Sequence, residues 1–137
     1  MDYFPERIGS VQYEFETFLV RALKSLGFEN IGSTPASGDQ GADVVATRNG
    51  KTIAIQAKRY ARPVGNSAIQ EIVAALRFYK ADEGWVITNS IFTDSAKKLA
   101  RANGVRLVDG IELRKMLGQR QNLATISHGN LFNDDVK

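Results

Sequence analysis

Three polar side chains with complementary chemistry lie near the ends of two apolar segments of the sequence. The first segment begins with Asp43, and the second ends with Gln56 and Lys58 two residues apart. A carboxylate and an amide oxygen are ligands suited to Mg²⁺, and a nearby ammonium can orient a water molecule and stabilise charge on a phosphate. The set points to a metal site for phosphodiester hydrolysis. The alternative is structural, with Lys58 paired to Asp43 and Gln56 hydrogen-bonded to the neighbouring loop.

A predicted β-hairpin brings these three residues together. Asn49–Gly50 separates two segments typical of strands, and Asn-Gly in this position is a strong signal for a two-residue turn. Pairing counted back from the turn predicts Asp43 opposite Gln56, and strand alternation puts Lys58 on the same face. The opposite face, which we predict to be core, consists of Val44, Ile53, Ile55 and Ala57.

A further carboxylate for the site is expected from the first predicted helix, Gly9–Leu26. In helical projection Glu16 lies roughly 90° from the centre of the apolar stripe. Glu14 lies on the other flank, close to Arg21 and Lys24. Glu16 is therefore the better candidate for a half-buried ligand, and we expect Glu14 to be a solvated surface residue.

The remaining pattern predicts an α/β fold in the order α, β, β, α, β, α, β, α. Such an order favours a sandwich whose mixed sheet starts with an antiparallel hairpin and continues through strands joined by helices. After the first helix, the predicted elements are a loop at 32–41, strands at 43–48 and 51–60, a helix opened by a capping box at Ser67–Gln70, a strand at 85–88, a helix capped by Thr93 and running to Ala102, a strand at 105–108, and a helix capped by Asp109 and running to Leu117.

Composition narrows the class of protein. The chain has 137 residues, a net charge of +3, no cysteine and one histidine, which excludes disulfides, thiolate metal sites and any catalytic dyad of histidines. No apolar run approaches the roughly 18 residues of a membrane span, so we expect a cytoplasmic protein with no membrane partner. We expect one domain at 1–121 and a flexible tail at 122–137.

Several short motifs are spread over roughly 11–117. They are Phe15–Glu16, Gly38–Asp43, Gln56–Tyr60, Val64–Gly65, Thr88–Ser90, Phe92–Thr93 and Leu107–Gly110. Together they resemble the Mrr-type restriction endonuclease domain of the PD-(D/E)xK nuclease superfamily. The resemblance implies a restriction-endonuclease-like three-layer sandwich and Mg²⁺-dependent DNA cleavage, with Mn²⁺ as a substitute.

The resemblance also implies roles for individual residues. It carries Glu16, Asp43, Gln56 and Lys58 over as the catalytic set. We expect Glu16, Asp43 and Gln56 to hold one metal ion, with the carbonyl of Ala57 as a further ligand. The sequence departs from the superfamily pattern twice: Ala42 stands where proline is usual, and Gln56 stands where many nucleases carry an acidic residue.

The expected partner is DNA. Arg59 and Arg62 follow Lys58 in a basic segment that would contact phosphates, and Gln70 could face the same site, although capping of Ser67 explains it equally well. A homodimer is expected for double-strand cleavage, with a separate specificity subunit as a further possibility. The alternatives are a structure-specific repair or junction nuclease, and a DNA-binding module that retains the fold without turnover.

Overall fold

The computed structural model describes residues 8–34 and 41–121, with side chains described at 15–34 and 41–118. Within these ranges the chain forms four helices and five strands. In chain order they are α1 (Ile8–Ser25), β1 (Glu29–Ser33), β2 (Val44–Arg48), β3 (Lys51–Lys58), α2 (Asn66–Phe78), β4 (Glu83–Thr88), α3 (Asp94–Asn103), β5 (Arg106–Val108) and α4 (Gly110–Gln121). The predicted tail at 122–137 lies outside the described residues.

The strands form one mixed sheet in the order β1-β2-β3-β4-β5. The pairs β1–β2 and β2–β3 are antiparallel, whereas β3–β4 and β4–β5 are parallel. Helices α1 and α4 pack on one face of the sheet, and α2 and α3 pack on the other. The predicted α/β sandwich with a mixed sheet is therefore confirmed.

The β2–β3 hairpin has the predicted register. Its pairs run from Arg48 opposite Lys51 to Val44 opposite Ile55. Asn49 and Gly50 both adopt positive φ, at 55° and 79°, as a type I′ turn requires. The residues predicted to be core on one face, Val44, Ile53, Ile55 and Ala57, are all buried beneath α1 and α4.

Strand β1 was not predicted, and part of it falls in the segment interpreted as a loop from residue 32. Its sequence lacks the alternation of apolar and polar residues that marks a half-buried strand, and most of its residues are exposed. It forms because β2 offers an open edge, and its register shifts between Glu29 and Gly32. The pairing continues past the strand, where the amide of Thr34 donates to the carbonyl of Asp43 over 2.9 Å.

Two of the three predicted helix caps are confirmed. The side chain of Thr93 accepts from the amide of Ala96, and Asp109 accepts from the amide of Glu112. The prediction of a capping box at Ser67 is wrong, because α2 begins at Asn66, follows Gly65 and has no side-chain cap. That helix is held by burial of its apolar face rather than by a local signal.

Among the described residues, none of the helices is both long enough and apolar enough to cross a bilayer.

Candidate active site

Asp43 lies just before β2, where the hairpin pairing ends. Its backbone N–H donates to the carbonyl of Ile55 over 2.8 Å, and its Oδ2 accepts from the backbone N–H of Ala57, also over 2.8 Å. The predicted strand pair with Gln56 does not form, because Asp43 bonds instead to the residues on either side of Gln56. A short carboxylate side chain competes well with backbone carbonyls for an amide, and this competition ends the strand.

The carboxyl group of Asp43 is also hydrogen-bonded to the side chain of Glu16 from α1. Burial raises the pKa of Asp43 from 3.8 to about 6; the charge and hydrogen bond of Glu16 add to the rise, while the amide of Ala57 and the charge of Lys58 oppose it. Two carboxylates in contact need a proton or a cation between them. The side chain of Glu14, the alternative on α1, lies outside the described side chains.

Gln56 is buried near the end of β3, with 6% of its surface exposed. Its Nε2 donates to Oε1 of Glu71 over 2.7 Å. Its Oε1 is buried and has no hydrogen-bond partner among the described residues. Leaving a buried acceptor unsatisfied costs about 1–3 kcal/mol, so this oxygen is suited to a group that comes from outside the described chain.

Lys58 lies at the end of β3 with 21% of its side chain exposed, and its Nζ is 3.4 Å from Oε1 of Glu71. The structural alternative predicted an ion pair between Lys58 and Asp43 and a bond from Gln56 to the loop. The structure instead joins Lys58 and Gln56 to the same carboxylate oxygen, and the charge of Lys58 acts on Asp43 by lowering its pKa.

Glu71 of α2 is therefore a residue of this site that the sequence interpretation missed. Its backbone is packed against Gly41, where an added Cβ would overlap the carbonyl oxygen of Glu71. Gly41 has a φ of +84°, a conformation that glycine adopts without strain. This contact ties the segment before Asp43 to α2. No local signal separates Glu71 from its neighbours on the helix, because its direction depends on how α2 packs on the sheet.

Gln70, the α2 residue that was predicted to face the site, is exposed and lines a groove of about 220 Å³ with Val73, Leu99 and Asn103. Adjacent helical residues point about 100° apart, so the side chains of Gln70 and Glu71 point in different directions. The structure does not bring Gln70 to Asp43 or Gln56. The alternative role, capping of Ser67, is also not observed, since α2 has no side-chain cap.

The basic segment after β3 is clamped by the loop that follows β4. Asn89 accepts from the amide of Tyr60 over 2.9 Å and donates to its carbonyl over 3.1 Å. The hydroxyl of Ser90 donates to the carbonyl of Arg62 over 3.0 Å. The guanidinium of Arg62 lies 5.3 Å from the centre of the Tyr60 ring. Arg59 and Arg62 are exposed beside Lys58, at the same end of the sheet.

The donors at this end of the sheet fit a hard divalent cation. Within the described residues, no three His, Cys, Asp or Glu side chains gather as a metal cluster, so any such site depends on an amide as well as carboxylates. Glu16 and Asp43 would supply the carboxylates, and the unsatisfied Oε1 of Gln56 would supply the amide oxygen. Oxygen ligands of these types are the ones that Mg²⁺ and similar cations prefer.

Comparison with known proteins yields one family and several relatives. The family model described as "Restriction endonuclease", Mrr_cat, matches residues 10–117. Over 107 residues the chain is 33% identical to the type IV methyl-directed restriction enzyme EcoKMrr of Escherichia coli strain K12, covering 72% of this chain and 35% of that protein.

Two solved structures share the fold. The DNA modification-dependent restriction endonuclease AspBHI superposes with a TM-score of 0.65 at 16% identity, covering 87% of this chain and 33% of that one. The MspJI restriction endonuclease in complex with a 27-mer oligonucleotide superposes with a TM-score of 0.63 at 20% identity, covering 89% and 30%. The chain thus spans about a third of the length of each of these three relatives.

Proposed function

This chain belongs to the Mrr-type restriction endonuclease family, and from that premise we propose that it is a metal-dependent DNA endonuclease of the restriction or defence type. The observation that carries the proposal is the unsatisfied, buried Oε1 of Gln56. One residue further along β3, the amide of Ala57 binds the carboxylate of Asp43, which is also bonded to Glu16. The segment Gln56–Lys58 thus carries an amide oxygen and an ammonium, and its backbone binds Asp43, which in turn binds Glu16.

Glu16, Asp43 and Gln56 would hold a single Mg²⁺, with Mn²⁺ as a substitute and the carbonyl of Ala57 as a further ligand. The pKa of Asp43 is raised mainly by burial and further by the charge of Glu16. This supports the assignment, because a cation compensates a buried carboxylate pair as a proton does. When bound, such a cation supplies Lewis-acid polarisation of the phosphate and lowers the pKa of a water molecule.

Lys58 has the role of an electrostatic and orienting group. Its ammonium stabilises the negative charge that develops on the phosphate during attack and donates a hydrogen bond to the attacking water. Its partial burial, at 21% exposed, strengthens both interactions, because charges interact more strongly where water is excluded.

Arg59 and Arg62 are proposed to bind the phosphates that flank the scissile bond, and Gln70 is proposed as a more distant DNA contact. The oligonucleotide in the MspJI structure supports a DNA substrate. Cutting both strands with one site per chain favours a symmetric homodimer. Because the three relatives are about three times longer, sequence recognition is assigned to another domain or a separate specificity subunit.

The test is cleavage of supercoiled plasmid in Mg²⁺ or Mn²⁺ by the wild-type protein and by Lys58→Ala. Lys51→Ala is the matched control, since Lys51 lies at the other end of β3 and pairs with Glu83 over 3.7 Å. We expect nicking or linearisation by the wild type and by Lys51→Ala. We expect it to disappear in Lys58→Ala and in EDTA.

Two other outcomes would replace the proposal. Folded wild-type protein that retards DNA in a gel without cutting it in either metal would indicate a DNA-binding module. Cutting of a four-way junction or flap, with no cutting of methylated or unmethylated linear duplex, would indicate a structure-specific repair nuclease.

A further inference from the structure

Glu71 is placed where it controls two members of the proposed catalytic set at once. Its Oε1 accepts from Nε2 of Gln56 over 2.7 Å and lies 3.4 Å from Nζ of Lys58. The side chain of Glu71 is 46% exposed, and its backbone is held against Gly41. A residue fixed by its backbone, with a carboxylate that reaches two buried or half-buried partners, is able to orient both.

The orientation of the Gln56 amide follows from the chemistry of its partner. A glutamine can present either its oxygen or its NH₂ group to a neighbour, but an ionised carboxylate accepts hydrogen bonds only. With Glu71 on that side, Nε2 must face α2, because the flipped amide would place oxygen against oxygen. The amide oxygen is thereby turned to the opposite side, where it is buried and unsatisfied.

We propose that Glu71 is a positioning residue that makes Gln56 an oxygen ligand and holds the ammonium of Lys58 beside it. This inference rests on the proposed function, since it assigns Glu71 to the same cation site. It also explains how the neutral Gln56 can serve where an acidic residue is more usual. The amide is coupled to a carboxylate that lies on a different element of the fold, and that carboxylate balances the charge of Lys58.

The pair should tolerate exchange better than either single change. In Gln56→Glu, two carboxylates face each other at hydrogen-bonding distance, so the site is repulsive. In Glu71→Gln, the residue at 71 can present either an oxygen or an NH₂ group, and the orientation of Gln56 is no longer enforced. The double variant Gln56→Glu/Glu71→Gln restores one amide facing one carboxylate, with the two groups exchanged. The NH₂ group at 71 donates to one carboxylate oxygen at 56, and the other oxygen of that carboxylate faces the cation.

The experiment measures Mn²⁺ affinity by titration calorimetry without DNA, together with plasmid cleavage, for the wild type and these variants. Glu112→Gln is the matched control, because Glu112 is a helical residue paired with Arg106 and has a side chain that is 40% exposed. We expect Glu71→Gln to weaken Mn²⁺ binding about tenfold or more, as losses of a ligand's hydrogen-bond partner generally do. Glu112→Gln should bind as the wild type does, and the double variant should bind more tightly than Gln56→Glu.

The inference fails if Glu71→Gln binds Mn²⁺ as the wild type does, or if the double variant binds no better than Gln56→Glu. The proposed function fails separately, when the wild type itself neither binds Mn²⁺ nor cuts DNA. Circular dichroism and urea unfolding of each variant identify a loss of folding, and in that case Glu71→Asp, which retains the acceptor, provides the second test. Weakened Mn²⁺ binding by folded Glu71→Gln, together with retained binding by Glu71→Asp, supports the inference.

Discussion

The carboxylate of Asp43 accepts the backbone N–H of Ala57 over 2.8 Å, which joins the residue before β2 to the middle of the Gln56–Lys58 segment. In an uninterrupted hairpin that amide would bond to a backbone carbonyl. The carboxylate of Asp43 takes the place of that carbonyl. The spacing of Asp43 from Gln56 and Lys58 is therefore set by backbone geometry. The backbone of β3 therefore holds the carboxylate of Asp43 beside Gln56 and Lys58.

Asp43→Asn should stabilise the metal-free protein at neutral pH. Because the pKa of Asp43 is about 6 in the folded state against 3.8 ordinarily, the folded protein binds this proton more tightly. The stabilisation from this group is complete below about pH 3.8 and is lost as the pH rises through about 6. Asparagine is neutral throughout, so the gain in free energy of unfolding should be about 1–3 kcal/mol near pH 7.5.

Urea unfolding in EDTA at about pH 4 and about pH 7.5 measures this difference. At the lower pH, the two proteins should differ little. Adding Mg²⁺ near neutral pH should stabilise the wild type more than Asp43→Asn, because the variant lacks one charged ligand. Equal stability of the two proteins at both pH values would contradict the burial cost assigned to Asp43.

Gly41→Ala should destabilise the fold more than Gly50→Ala. Both glycines have positive φ, at 84° and 79°, so both changes carry the same backbone strain of about 1–2 kcal/mol. An added Cβ at Gly50 meets open space, whereas at Gly41 it overlaps the backbone of Glu71. Urea unfolding should show that Gly41→Ala costs about 1–3 kcal/mol more than Gly50→Ala. DNA cleavage by Gly41→Ala should also fall, because the overlap displaces Asp43 and Glu71.

Asn89→Ala should weaken DNA binding while leaving the cation site intact. It removes both hydrogen bonds to the backbone of Tyr60, so the segment that carries Arg62 loses its clamp. The expected readouts are a lower DNA affinity in a gel or fluorescence assay and Mn²⁺ affinity equal to that of the wild type. Asn103→Ala is the control, since the exposed side chain of Asn103 donates to the carbonyl of Leu99 within α3. An equal effect of the two changes would count against the clamp.

Arg62→Ala should lower DNA affinity to a similar degree for all sequences and reduce the salt dependence of binding. Removing one phosphate contact reduces the magnitude of the slope of log binding constant against log salt concentration by about 1. Arg101→Ala, on the exposed surface of α3, should leave the slope unchanged. An unchanged slope in Arg62→Ala would remove Arg62 from the DNA interface.

Much of the fold follows from signals that act over a few residues. The Asn49–Gly50 turn sets the register of β2 against β3, because type I′ geometry requires two residues with positive φ and leaves one pairing that buries Val44 and Ile55. Thr93 and Asp109 cap their helices with their own side chains. Such features act over a few residues, so the sequence alone predicts them.

Other features depend on contacts between distant segments. Strand β1 exists because the edge of β2 is available to it, and Asp43 leaves the strand because its carboxylate reaches Ala57. The start of α2 was misplaced because the apparent capping box at Ser67 makes no bond. In the first two cases a contact between separate segments outweighed a weak local preference, and in the third the local signal formed no bond.

The sequence by itself determined the residue types, their order along the hairpin and the side of the sheet that forms the core beneath α1, since turn chemistry and period-two alternation act within a single hairpin. Only the tertiary structure decided which carboxylate each polar side chain meets. Burial of Ile69, Ile72 and Ala75 sets the rotation of α2 on the sheet, and that rotation turns Glu71, rather than Gln70, towards Gln56 and Lys58. Helix rotation is a property of packing between elements, so adjacent residues on the helix surface were indistinguishable until the packing was known.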